Sequence, residues 1–521
     1  MSRFATGLSS GLRALCARET RGPGAWPRGA GPAGRNLSVQ ATDRRKLKST
    51  DDLPGPSTST TLYWLLVKGY ADKSHLLQGV QKRLYGPIWR SRFGPYELVN
   101  VASPELIAQV IQQEGRYPVR AKLPHWQEYR ELRGQAYGLH VSSGPEWHHL
   151  RSVLNPKMMK LREVSAFAPV IHQVVADLLD RIELLRSRSA DRATVSDLAP
   201  ELYKFGFEGI SAILFETRLG CLQEEIPHNT LRFISAVNDM MKMSETVMLF
   251  PRWSRRILPF WNRFVQAWDD LYDVAKTLID RRLAEIEGQV RGGESAEGTF
   301  LTYLLLSERL SRSEVYISVT ELLLGGVDTT SNTLSWALYH LARDGRAQDR
   351  LHAEVDSVCP GKREPTMTDL SSMPYLKAVI KETLRLYPVV PGNARLVSEG
   401  EVILDDYWFP KETLFHLCHY SVCHDEAEFD RPEDFVPERW LRADTPRSRF
   451  QHHPHSFIPF GVGVRACVGK RVAEMEMFFA LSRIMQHYEV QPVEDAPTVE
   501  PKTRTLLIPG APIDLRFLCR A

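Results

Sequence analysis

The chain has 521 residues, 43% of them hydrophobic, enough for a sizeable core. Its formal charge of +3 hides a basic start: residues 1–35 carry six arginines against the single acid Glu19, and the remainder holds 60 basic against 62 acidic residues. That balance excludes a general nucleic-acid binder, and seven cysteines without a C-x-x-C pair point to free thiols of a reducing compartment rather than a disulfide framework.

The start is rich in arginine and serine, lacks lysine, and places Phe4, Leu8, Leu12 and Leu15 on one helical face before Pro23, Pro27 and Pro32 break the pattern. This is the character of a mitochondrial transit peptide over residues 1–35, its boundary lying anywhere up to about residue 45; a disordered basic tail is the alternative. A secretory signal needs a continuous apolar stretch and a membrane anchor about 18 apolar residues, whereas the longest early apolar run is Leu62 to Val67. No Gly/Ser linker or charge block follows, so residues 50–521 are expected to form a single domain.

Asp52-Leu53-Pro54-Gly55-Pro56 reads as a stiff entry segment, and Ile88 to Phe93 and Glu97 to Ala102 as short strands around a turn at Gly94-Pro95. Helical periodicity then dominates over 104–113, 146–154, 167–185, 202–215, 230–243 and 260–286, which predicts a mainly α fold with a small β region. Trp147 and Arg151 stand four apart and share a helix face. Between two of the helices, residues 248–261 alternate aromatic and aliphatic residues with arginines. Such a loop either dips into one lipid leaflet, its arginines meeting head groups, or packs between helices.

Glu321 to Leu341 is a long apolar helical run interrupted by Gly325-Gly326-Val327-Asp328-Thr329-Thr330. Two glycines inside a helix cost about 1 kcal/mol each relative to alanine. One reason to keep them is room for a flat cofactor. Another is that the Thr329 hydroxyl reaches back to the Gly325 carbonyl and opens a kink. A groove beside an acid and a hydroxyl suits bound dioxygen, with Asp328 and Thr329 relaying protons.

Glu382 and Arg385 form an i, i+3 pair on an otherwise apolar helix, and Arg439 is expected to complete a buried Glu-Arg-Arg set. Lys377 and Lys381 lie one turn apart on the same helix. His416, Cys418, His419, Cys423, His424 and the His452-His453-Pro454-His455 run lack standard zinc spacing. The tail alternates over 505–508 and 513–517, which predicts a hairpin around Pro509-Gly510.

The stretch Phe460-Gly461-Val462-Gly463-Val464-Arg465-Ala466-Cys467-Val468-Gly469 runs into a helix over 468–487, because Val468, Val472, Met475 and Phe479 recur at helical spacing. Cys467 then sits at a helix N-terminus, where partial positive charge favours thiolate. Positive φ is expected at Gly463 and Gly469, Phe460 is placed to cover the sulfur, and Arg465 to meet an anion. A haem iron with an axial thiolate satisfies all of these. Gly461 to Ala466 also matches the dinucleotide pattern G-x-G-x-x-A, but the chain ends too soon to build that fold.

The pattern F-x-x-G-x-R-x-C-x-G, with G-G-x-D-T-T, E-x-x-R and W-x-x-x-R before it, resembles the cytochrome P-450 haem-thiolate monooxygenases from about Asp52 to the end. The resemblance implies that fold and haem b (iron protoporphyrin IX) on Cys467. It also implies propionate contacts from Trp147, Arg151, Arg395 and Arg465, and a Glu382–Arg385 pair that fixes the haem loop. The stretches 376–391 and 327–334 look most like a mitochondrial subgroup of sterol 27-hydroxylases, vitamin D hydroxylases and a retinoid desaturase. Gly325 departs from the commoner alanine, and Lys470 from an arginine.

That subgroup implies side-chain (C27/C26) hydroxylation of a sterol or secosteroid with O2, on the matrix side of the inner membrane through monotopic association. Electrons come from an adrenodoxin-type ferredoxin and its NADPH-dependent reductase. Vitamin D 25- or 1-alpha-hydroxylation and retinoid desaturation are sister expectations. Lys377, Lys381, Lys470 and Arg471 offer a basic face to an acidic carrier, or merely a solvated one. A haem-thiolate isomerase needing no external electrons would not require the Asp328–Thr329 relay, and a non-catalytic binder of haem or lipid would have no use for the groove.

Overall fold

The computed structural model describes residues 47–94, 96–292, 298–441 and 452–520. The transit-peptide reading falls on residues outside that range, and Pro95 of the expected turn is outside it too. The principal helices are α1 (Ser74–Tyr85), α2 (Pro104–Gln112), α3 (Pro124–Arg133), α4 (Gly144–Met159), α5 (Ala168–Arg188), α6 (Leu198–Leu214), α7 (His228–Leu249), α8 (Phe260–Arg291), α9 (Arg312–Arg343), α10 (Gly345–Val358), α11 (Pro374–Leu386) and α12 (Lys470–His487). The strands are β1 (Ile88–Phe93), β2 (Tyr96–Val101), β3 (Thr194–Val195), β4 (Asn393–Leu396), β5 (Val402–Leu404), β6 (Tyr407–Phe409), β7 (Leu414–Leu417), β8 (Tyr488–Pro492), β9 (Pro501–Arg504), β10 (Leu506–Pro509) and β11 (Leu515–Cys519).

Helix α9 is the spine, buried on nearly every side. It starts nine residues before the expected Glu321, because Ser311 and Glu314 form a capping box: Glu314 N–H donates to Ser311 Oγ at 3.3 Å, and Ser311 N–H to Glu314 Oε2 at 2.8 Å. Two glycines let α6 pack closely on it. A Cβ at Gly326 would stand 2.7 Å from Ile210 Cγ1, and one at Gly206 would stand 2.7 Å from Ser331 Oγ. The Ser331 hydroxyl donates across that contact to the Leu202 carbonyl at 2.8 Å.

A four-stranded sheet in the order β1-β2-β7-β4 stands beside the helices, β2 and β7 running parallel with Val101 opposite Leu417. It covers its own apolar cluster, which includes Val99, Val101, Ile107, Phe415 and Leu417. The larger core lies among the helices. The stretch leading to Cys467 follows the seam between the two: Ile458 and Val462 pack with the sheet, Phe460 and Val468 with the helices.

The tail differs from the expected hairpin. β10 turns back on β9 through Thr505, at φ +59°, while β11 lies between β3 and β8 in another sheet. Alternation reports which residues share a strand face; it does not name the partner strand.

Candidate active site

The loop before α12 is wound tightly around Cys467. Gly461 N–H donates to the Ile458 carbonyl at 2.8 Å, Ala466 N–H to the Gly463 carbonyl at 3.1 Å, and Cys467 N–H to the Phe460 carbonyl at 2.8 Å. The left-handed positions are Gly461 (φ +66°) and Gly463 (φ +71°). Gly469, expected to be left-handed, has φ −84° and caps α12 instead, where helical hydrogen bonding needs no positive φ. A Cβ at Gly463 would stand 2.8 Å from Glu114 Oε1, so the loop lies close to the end of α2. Burial pushes the Cys467 thiol up, and the N–H groups of Gly469 and Lys470, with the charges of Arg120 and Arg151, pull it back. The expected lowering by the helix terminus is therefore present but outweighed by burial.

Arginines converge beside this loop. Arg465, Arg151 and Arg395 are joined by Arg120, which the motifs did not point to because it lies between elements with no periodicity around it. Arg465 Nε donates to the Pro118 carbonyl at 2.7 Å and Nη2 to the Ser142 carbonyl at 3.2 Å; its guanidinium lies 4.0 Å from the Trp147 ring centre. Arg120 Nη2 donates to the Arg465 carbonyl at 3.2 Å, and Arg395 Nε to Glu114 Oε2 at 2.8 Å. Buried Nε atoms of Arg120 and Arg151 have no partner.

Burial, then mutual repulsion among the four, holds Arg465 down to about 9; burial and Arg395 hold Arg120 down to about 10. Glu114 is the carboxylate among them, itself pushed up by burial. Three buried arginines and the half-buried Arg120 outnumber the acids that act on them, Glu114 and Glu321, and orphaned guanidinium donors call for acceptors. The two propionates of a haem would match that need, and Cys467 would supply the thiolate. Bound haem supplies the one-electron and dioxygen chemistry.

On the other side is α9. Thr329 Oγ1 donates to the Gly325 carbonyl at 2.8 Å, and a Cβ at Gly325 would meet no heavy atom within 4 Å, so open space lies beside this glycine. The helix runs without a break through this turn. Burial pushes Asp328 up to about 7, while Arg504 and the neighbouring Tyr203 hydroxyl pull it down. A carboxyl that titrates near neutrality is suited to passing protons.

The structure brings Glu382, Arg385 and Arg439 together. Glu382 receives Arg385 through Nη2 at 2.8 Å and Nε at 3.0 Å, Arg439 Nε at 3.0 Å and Trp440 Nε1 at 2.8 Å. The remaining Arg385 donors reach the Cys423, Pro432 and Asp434 carbonyls. The set thus ties α11 to the segment that leads towards the Cys467 loop.

The four basic residues expected at a carrier face lie on α11 and the first turn of α12. Lys381 stands over the Trp440 ring at 5.6 Å and Lys470 over the Phe460 ring at 5.4 Å, while Arg471 pairs with Glu474 at 3.2 Å. Trp440 packs on Phe457 at 4.5 Å, so Lys381 approaches the segment that leads into the Cys467 loop.

Comparison with known proteins places this geometry. The family model for cytochrome P-450 matches residues 54–517. The mitochondrial sterol 26-hydroxylase of Rattus norvegicus is 43% identical over 92% of this chain and 90% of its own, and that of Homo sapiens is 40% identical over 100% and 98%. The mitochondrial 25-hydroxyvitamin D-1 alpha hydroxylase of Homo sapiens is 43% identical over 91% and 93%. A crystal structure of a cytochrome P-450 haem domain superimposes with a TM-score of 0.74 at 22% identity, covering 91% of this chain and 98% of that one. The chain therefore belongs to the cytochrome P-450 family and is a haem-dependent monooxygenase of that fold.

Proposed function

We propose that this monooxygenase hydroxylates a sterol or secosteroid, on the side chain. The observation that carries this reading is identity of 40–43% along nine-tenths or more of relatives named for sterol 26-hydroxylation and vitamin D 1-alpha hydroxylation. In this reading Cys467 ligates iron, Phe460 covers the sulfur, and Trp147, Arg151, Arg395 and Arg465, with Arg120, hold the propionates. Asp328 and Thr329 deliver protons; Glu382, Arg385 and Arg439 fix the loop. This reading puts the substrate contacts near Met248, near Trp126, whose Nε1 donates to Ser244 Oγ at 3.2 Å and joins α3 to α7, and near Val389, whose carbonyl accepts from Leu507 N–H at 2.8 Å.

The mature protein begins after a transit peptide and works at the inner membrane from the matrix side. Among the described residues no helix is long and apolar enough to cross a membrane. In the loop after α7, Trp253 is 68% and Ile257 73% exposed, which supports insertion into one leaflet over packing between helices. Electrons arrive from an acidic ferredoxin at Lys377, Lys381, Lys470 and Arg471. Loss of reduction rate in Lys377→Ala/Lys381→Ala with an unchanged haem spectrum supports that docking face; an unchanged rate removes it.

Turnover with ferredoxin, its reductase and NADPH, offered cholesterol, vitamin D compounds and retinol, tests the substrate. A side-chain hydroxylated sterol is expected. Ring hydroxylation of a secosteroid, or a desaturated retinoid, moves the protein to a sister activity.

A further inference from the structure

Asp328 meets a second helix at its carboxyl. Tyr203 on α6 stands beside it, and Asn332, one turn further along α9, links the two: its Nδ2 donates to the Tyr203 hydroxyl at 3.0 Å and to the Asp328 carbonyl oxygen at 2.8 Å. With an acceptor site of the phenol filled by Asn332, its O–H is left to donate, and Asp328 lies one turn before Asn332 on the same face of α9. Asp328 is 5% exposed, and its Oδ1 has no hydrogen-bond partner.

Arg504, at the end of β9, approaches from a third element, held by Asn238 Oδ1 of α7 at 2.6 Å. Tyr203 and Arg504 are the ionisable groups that face Asp328, and Glu245 of α7 in turn faces Arg504. Burial, and then the charge of Asp328, raise Tyr203, so the phenol keeps its proton.

We propose that Tyr203 is a positioning residue for proton delivery: its hydroxyl, aimed by Asn332, holds the Asp328 carboxyl and stabilises the carboxylate left each time Asp328 passes a proton toward Thr329. The Asp328 O–H bond breaks in that step and re-forms with a proton from solvent; the Tyr203 O–H bond stays intact. A hydrogen bond to the charged form lowers a carboxyl's pKa, so loss of the phenol donor raises it against the pull of Arg504. The inference rests on the proposed role of Asp328 as proton donor.

The test is the pH dependence of product formed per NADPH, with peroxide release, for holoenzyme reconstituted with ferredoxin and reductase. In Tyr203→Phe the alkaline fall of coupled turnover is expected to move up by about one pH unit, with peroxide release several-fold higher at the optimum. Substrate affinity and the reduced carbon monoxide spectrum stay as in the parent. Asn332→Ala shifts the fall the same way by less. A purely structural tyrosine would leave the position of the fall untouched, and an unmoved fall in Tyr203→Phe overturns the inference. Should Tyr203→Phe lose its haem spectrum, Asn332→Ala decides on the same criterion. Asp328→Asn separates the two readings. An alkaline fall that persists in it removes Asp328 as the donor, whereas a fall abolished there but unmoved in Tyr203→Phe removes Tyr203 alone.

Discussion

The Arg465 guanidinium lies over the Trp147 ring, 4.0 Å from its centre, and so joins the Cys467 loop to α4. Two residues far apart in the chain thereby set one wall of a basic enclosure, and a cation on an indole face keeps its charge while losing little to water.

From that enclosure follows a prediction for haem retention. Arg120→Met and Arg465→Ala each remove one of four cations, and a charged hydrogen bond worth ~1.5–3 kcal/mol corresponds to roughly 10–100-fold in affinity. Haem transfer to an apoglobin acceptor should speed accordingly in both variants. Unchanged transfer in Arg120→Met would take Arg120 out of the anion site.

The two glycines of α9 should part company on substitution. Gly326→Ala drives a methyl to 2.7 Å from Ile210 Cγ1, and overpacking of this kind costs about 1–3 kcal/mol. Gly325→Ala meets no protein atom within 4 Å and gains up to about 1 kcal/mol of helix propensity. Thermal unfolding of the apoprotein reads the difference.

Glu382→Gln is expected to be severe. The carboxylate accepts from Arg385, Arg439 and Trp440, and its removal leaves two buried guanidiniums uncompensated, at about 3–5 kcal/mol. The yield of folded holoprotein should collapse. Normal yield and melting temperature would show that the set is not what holds the loop.

Glu476 of α12 carries a pH prediction. Burial raises it to about 8, its Oε1 has no hydrogen-bond partner, and that oxygen occupies the space that a Cβ at Gly209 would take, 2.7 Å away. In the unfolded chain the carboxyl titrates near 4.5. Between those values the unfolded state sheds a proton that the folded state keeps, so this group's contribution to stability falls as pH rises through the window and is level above it. Glu476→Gln cannot titrate. Its stability relative to the parent should climb with pH across the window, by at most ~5 kcal/mol; a pH-independent difference would mean that Glu476 ionises normally.

Much of the site was legible because its chemistry is local. Cys467 and Arg465 lie on one loop, Glu382 and Arg385 are a turn apart, Thr329 reaches Gly325 across four residues, and Trp147 shares a face with Arg151. Within a turn of helix or a tight loop the covalent chain sets the distance, so residue type and spacing are sufficient. The same locality makes the family motifs recognisable, and the family model matches residues 54–517.

Other relationships join residues that spacing cannot relate. Arg395 meets Glu114 across 281 positions, Arg120 enters the basic enclosure from a segment without periodicity, Tyr203 faces Asp328 from another helix, and Glu476 lies against Gly209. The strands of the tail found partners other than the expected ones. Periodicity states which face of an element is apolar, and nothing in it states which other face will cover it. That choice is made when α6, α9 and α12 close on one another, where glycines such as Gly206, Gly209 and Gly326 permit contacts that a single methyl would forbid. The chain's own order of residues thus named the fold, the haem cofactor and the reaction class, while packing assigned the partners that tune each charged group, because a pKa depends on neighbours in space rather than in sequence.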